Sequence, residues 1–138
     1  MAHHYYFPEA MTQPVSEFKS KSGLKRILAA VFYSVDGLKA AWRGEQAFRQ
    51  ELMLFVPGAI VAMLLPVSSF QKLALIAVLV LVLIVELINS AIEAVVDRVS
   101  LERHPLSKNA KDFGSAAVML ASLLAGATWA VVLFNRFW

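Results

Sequence analysis

The sequence contains no cysteine, which excludes disulfides, thiolate metal sites and cysteine nucleophiles. It is also short of charge: Asp, Glu, Lys and Arg make up 17% of 138 residues, and the formal net charge is only +3. So small an excess argues against a nucleic-acid partner and makes the placement of charge more informative than its sum. The six glycines, at positions 23, 37, 44, 58, 114 and 126, are scattered, so they assemble neither a Walker-type phosphate loop nor a glycine-rich loop that covers a nucleotide. A phosphate-bearing ligand would have to be held by side chains at a helix interface. Residues 1–18 carry Pro8, Pro14, His3, His4 and several aromatics without a period, and lack the basic and apolar regions of a signal peptide. They read as a frayed tail, with His3 and His4 solvated rather than a metal-binding pair.

What the chain has in excess is apolar side chains, 59% of the total, against about 45–50% in soluble domains. Its solvent is therefore a membrane. The expected fold is all-α and integral to the membrane: three transmembrane helices preceded by an amphipathic surface helix, forming one domain over residues 19–138. The surface helix, about 22–43, follows from the stripe Leu24, Ile27, Leu28, Val31, Val35, Leu38 and Trp42, opposed by Lys21, Lys25, Arg26, Asp36, Lys39 and Arg43. A helix of this kind could also pack on protein. Trp42 stands where an interfacial aromatic belongs.

Three apolar runs follow: Leu52 to Val67, Leu73 to Val85 and Ala116 to Phe134. They predict spans over about 47–67, 70–97 and 112–135. The second run is short of spanning length by itself and reaches it by continuing through Glu86 toward Asp97, because no strong breaker stands between Gln71 and Pro105. Basic residues set the orientation. Lys19, Lys21, Lys25, Arg26, Lys39, Arg43 and Arg49 lie on the amino-terminal side, and Arg98, Arg103, Lys108 and Lys111 lie between the second and third spans. Lys72 stands alone in the first loop and Arg136 alone at the carboxyl end, so the amino end is expected in the cytoplasm and the carboxyl end in the periplasm.

Ionisable groups at membrane depth are costly and mark function by default. Glu86, Asn89, Glu93 and Asp97 are spaced by three, four and four residues and so share one helical face, with Ser90 beside them. At about 1.5 Å per residue, Glu86 and Glu93 lie roughly 10 Å apart along the axis, too far to share one proton or one ion. Different jobs are expected of them. Glu86 lies deepest and suits a general base or a proton carrier; Glu93, nearer water, suits a hard-cation ligand. Glu45, at the cytoplasmic mouth of the first span, is at the level to provide a second carboxylate, which is enough for Mg²⁺ when substrate phosphates complete the shell. The loop supplies Glu102, Arg103, His104, Lys108, Lys111 and Asp112, and a lysine there can neutralise phosphate oxygens.

These side chains also have a structural reading, as snorkelling residues and helix-bundle hydrogen bonds. That reading is preferred for Arg98, Lys108 and Arg136. For Asp97, an ion pair with Arg98 or Arg26 stands beside a role in the site, and Ser115 and Trp129 stand equally as packing and anchoring residues. A proton-coupled transport or channel subunit is a further alternative. It requires polar partners facing Glu86 on other helices, and Ser122 and Thr128 are what the first and third spans offer.

The string from Glu86 to Arg98 (ELINSAIEAVVDR) resembles the signature of the prokaryotic diacylglycerol kinases, Ala41 to Glu51 (AWRGEQAFRQE) resembles their approach to the first span, and Lys111 to Val118 (KDFGSAAV) resembles a third block at matching spacing. The likeness runs from about Leu24 to Trp138. It implies an ATP-dependent lipid kinase of the bacterial inner membrane that makes phosphatidate from diacylglycerol with Mg²⁺, a homotrimer whose subunits share active sites. Phosphorylation of undecaprenol, the chemistry of a related group, is the alternative within the same class. The resemblance also implies site residues. Glu86 matches the catalytic base, and Glu45 and Glu93 match ligands of the metal that also touch ATP. Arg26, Tyr33, Glu102, His104, Lys111 and Asp112 match nucleotide contacts. Ser34, Trp42, Arg49, Ser115 and Trp129, together with Arg26 and Asn89, match the lipid site. Leu64 and Pro66 depart from the tryptophan and aspartate of the best-known members, and Pro105 and Asn109 alter the cytoplasmic loop.

Overall fold

The computed structural model describes residues 23–138, so the tail 1–18, with His3 and His4, lies outside the described residues. The order is α1 (Gly23–Gly44), α2 (Gln46–Leu64), α3 (Ser69–Val99) and α4 (Pro105–Phe137). The chain divides between Gly37 and Leu38 into two units. The first holds the amino-terminal part of α1, which is helical where its apolar stripe predicts. The second, from Leu38 onward, holds the end of α1 and the three helices that are long and apolar enough to cross a membrane.

Local signals set the helix ends. Ser68 and Gln71 form a reciprocal capping box at the start of α3: the Gln71 amide donates to Ser68 Oγ at 3.2 Å and the Ser68 amide donates to Gln71 Oε1 at 3.0 Å. α2 stops at Leu64, three residues short of the end its apolar run suggests, because Pro66 forces Leu65 into extended backbone, with ψ at 137°. α4 starts at Pro105 rather than near 112. Proline is well suited to the first helical position, and His104 caps the helix by accepting the Leu106 amide on Nδ1 at 3.2 Å. Lys111 and Asp112 therefore lie inside α4, nearly two turns beyond its first residue.

Short connections fold α2, α3 and α4 back on one another, and α3 packs against both neighbours. The register between α3 and α4 repeats every two turns. Leu75 meets Val132 in one apolar cluster completed by Ala62 of α2, and Val82 meets Ala121 and Ala125 in another. The buried residues of α3 are Leu75, Val82, Glu86 and Asn89. That single stripe is apolar in its first half and polar in its second. Large apolar side chains such as Leu73, Ile84, Ile88, Met119 and Leu123 are exposed on the outer faces, as a bundle solvated by lipid requires. With 31 residues, α3 is about 46 Å long, roughly 16 Å more than the hydrocarbon core, so its last turns stand clear of the bilayer.

Candidate active site

Glu86 is 4% exposed and Asn89 8%, an unusual pair to place where α3 faces its neighbours. One turn further, Glu93 is half-buried and accepts a hydrogen bond from Asn89 Nδ2 at 3.4 Å. The approach of α4 at this level is made possible by Gly114. A Cβ there would collide with Asn89 Oδ1 and stand 3.1 Å from its Cγ. Small residues let membrane helices come this close, and the contact holds the asparagine in place against its own helix.

Glu45 joins the site from the corner between α1 and α2. It precedes α2 in extended backbone and its side chain caps no amide, so the carboxylate is left for other uses. Arg49 steadies the corner: its Nη1 donates to the carbonyls of Trp42 at 3.0 Å and Arg43 at 3.2 Å, satisfying acceptors at the end of α1. Glu45 and Glu93 both act electrostatically on Glu86. So does a residue that sequence reasoning left out of the site, Glu51. Its Oε2 is buried without a hydrogen-bond partner, and its side chain lines a cavity of about 190 Å³ with Leu54, Phe55, Leu79, Val82, Ser122 and Ala125. The signal was present in the sequence as a carboxylate inside the first candidate span.

A larger cavity, about 640 Å³, opens where the loop between α3 and α4 folds over the last turns of α3. Glu102, His104 and Lys111, three of the residues matched to nucleotide contacts, line it together with Asp97 and Lys108. Asp97 pairs across the helices with Lys111, Nζ to Oδ1 at 2.7 Å. This corrects the expectation that its partner is Arg98 or Arg26. Asp112 pairs with Lys108 one turn before it on α4. Lys111 also stands within the field of Glu93, so the loop cavity and the carboxylate group adjoin.

Trp129 packs in the Leu75 cluster and donates Nε1 to the Leu75 carbonyl at 3.3 Å, eleven residues along α3 from Glu86 and therefore about 16 Å away along the axis. Ser115 follows Gly114 on an exposed face of α4, and Trp42 is exposed at the end of α1. Arg26, Tyr33 and Ser34 belong to the amino-terminal unit, in which Ser34 Oγ donates to the Ala30 carbonyl at 2.9 Å.

Among the described residues no three Asp, Glu or His side chains converge in a way that could enclose a metal ion. The donor set is nonetheless hard, all carboxylate oxygen, and an ion held by two carboxylates plus ligand oxygens is the usual arrangement for Mg²⁺. Glu45 and Glu93 carry donors of that chemistry, and Arg103, Lys108 and Lys111 give the loop cavity a cationic lining.

The family described as prokaryotic diacylglycerol kinase matches residues 32–133. A diacylglycerol kinase of Pseudomonas aeruginosa is 60% identical over 120 residues, covering 87% of this chain and 98% of that protein. One from Escherichia coli is 47% identical over 116 residues, covering 84% and 95%, and one from Haemophilus influenzae is 40% identical over 113 residues, covering 82% and 96%.

Proposed function

The chain belongs to the prokaryotic diacylglycerol kinase family, and from that premise we infer that it is a multi-pass membrane enzyme that phosphorylates diacylglycerol to phosphatidate. The observation that carries the mechanism is the polar half of the α3 stripe, where buried Glu86 and Asn89 lead out to Glu93, one turn before Asp97 in the wall of the loop cavity. A lipid headgroup reaches that level from the bilayer, and a nucleotide reaches it from water.

In this reading Glu86 removes the proton from the free hydroxyl of diacylglycerol as its oxygen attacks the γ-phosphorus of ATP. The bond from that phosphorus to the β-phosphate bridging oxygen breaks, and ADP leaves. Asn89 donates to Glu93 and orients it; Glu45 and Glu93 would hold Mg²⁺. The chemistry such an ion would supply is to offset the charge of the transferring group. Lys111 meets phosphate oxygens, and Glu102 and His104 lie along the nucleotide cavity. The family resemblance matches Arg26, Tyr33 and Ser34 to nucleotide and lipid contacts, and Arg49, Trp42, Ser115 and Trp129 to the lipid site. The subunit works as a homotrimer with shared sites in the inner membrane, its amino end and α3–α4 loop in the cytoplasm, as the distribution of basic residues favours.

The test is phosphate transfer from radiolabelled ATP by reconstituted protein, with diacylglycerol and undecaprenol side by side. Glu86→Gln should cut turnover by at least about 10²-fold with the helix content kept. A near-wild-type rate in that variant would sink the base assignment.

A further inference from the structure

Two lysines line the cavity under the α3–α4 loop, and they are held differently. Lys108 pairs with Asp112 on its own helix, whereas Lys111 reaches across to Asp97 on α3, with Nζ 2.7 Å from Oδ1. We propose that Asp97 is a positioning residue for nucleotide, fixing the Lys111 ammonium at the cavity wall so that the phosphates meet a cation already in place. The inference rests on the reading of Lys111 as a phosphate contact.

An ammonium has three donor hydrogens. One serves Asp97, and the other two remain for phosphate oxygens, so the ion pair and the ligand do not compete for the same bond. Asp97 lies four residues beyond Glu93 on the same face, about 6 Å along the axis. The lysine it holds therefore stands within the field of Glu93 and next to the ion that Glu45 and Glu93 would share. Left alone, a lysine on a four-carbon stem samples many rotamers, and each contact to phosphate would have to order it first. Stability does not account for the pair. Its side chains are 38% and 50% exposed, and pairs so exposed add little to a fold, while the closeness of α3 and α4 is already set by Gly114 against Asn89.

The experiment compares MgATP saturation curves of the reconstituted full chain for wild type, Asp97→Asn, Asp97→Glu, Lys111→Met and the double variant Asp97→Asn with Lys111→Met. Asp97→Asn should raise KM for MgATP by about fivefold, the size of an exposed pair's coupling, with the melting temperature unchanged. Asp97→Glu should return KM to within about twofold, and Asp97→Asn should add nothing on the Lys111→Met background, as coupled residues require. Wild-type kinetics in Asp97→Asn beside an impaired Lys111→Met would overturn the role of Asp97 alone. So would additive losses, or a lowered KM, which is the mark of a carboxylate that competes with phosphate. If Lys111→Met left KM and kcat untouched, the reading of Lys111 would itself fall.

Discussion

Replacing Gly114 by alanine adds a methyl group to the closest approach of α3 and α4. The new carbon would overlap Asn89 Oδ1 and lie 3.1 Å from Cγ and 3.6 Å from Cβ. Asn89 is 8% exposed and cannot escape into solvent, so either α4 moves away or the asparagine turns and gives up its 3.4 Å hydrogen bond to Glu93. Overpacking of this kind costs about 1–3 kcal/mol. If the strain falls on the asparagine, loss of an ordered Glu93 appears in the rate, about tenfold for each 1.4 kcal/mol. We expect Gly114→Ala to lower kcat/KM by about 10- to 100-fold and to melt earlier in a detergent titration. A second change separates the two effects. Asn89→Ala on the Gly114→Ala background removes the overlapping group, so stability should recover while the rate stays low. Gly58→Ala is the internal control, since the atom it meets, Leu79 Cδ1 at 2.8 Å, is the end of a side chain that can turn aside. Full activity and stability in Gly114→Ala, or a double variant no more stable than the single one, would refute the reasoning.

Ser68→Ala removes the capping box of α3 and should cost about 1 kcal/mol of stability, read as earlier thermal inactivation, with kcat unchanged because Glu86 lies roughly 27 Å along the helix. Trp129→Phe keeps the ring packing but loses the 3.3 Å bond to Leu75; a loss of about 1 kcal/mol in stability is expected, read as earlier thermal inactivation. Chelation of divalent cations should stop turnover reversibly. Glu45→Gln and Glu93→Gln should each raise the Mg²⁺ concentration needed for half-maximal rate, since each removes one of the two carboxylates that fit the ion. A Mg²⁺ dependence unchanged in both would remove them from the metal site.

The polar stripe on α3 was legible because helical spacing alone puts Glu86, Asn89, Glu93 and Asp97 on one face, and the unbroken stretch after Gln71 makes the helix long enough to carry them outward. Partners on other helices were not legible. Nothing in the order of residues says that Lys111, rather than Arg98, reaches Asp97; that follows from the antiparallel register, which emerges only when Val82 meets Ala125 and Leu75 meets Val132. Gly114 gave no signal by itself, since its use depends on the asparagine that faces it. The start of α4 was misplaced because Pro105 was read as a breaker, whereas after a capping histidine it is a helix initiator. Glu51 was overlooked for a related reason: it lies six residues from Glu45, off the face that Glu45 presents, and enters the group through the packing of α2 on α3.

The carboxylates gathered near Glu86 repel one another. Glu45, Glu51 and Glu93 all bear on Glu86, and at the edge of a bilayer such charges are screened far less than in water. Lys111 is within reach of Glu93, but it already serves Asp97, and Lys108 serves Asp112. Packing would be better satisfied by apolar side chains at each of these positions, as it is at Val82 and Leu75, one and three turns from Glu86 on the same stripe. Retaining acid groups there makes physical sense if a divalent cation binds among them, as the proposed function requires. On the proposed reading, the site would be electrostatically complete only with that cation bound.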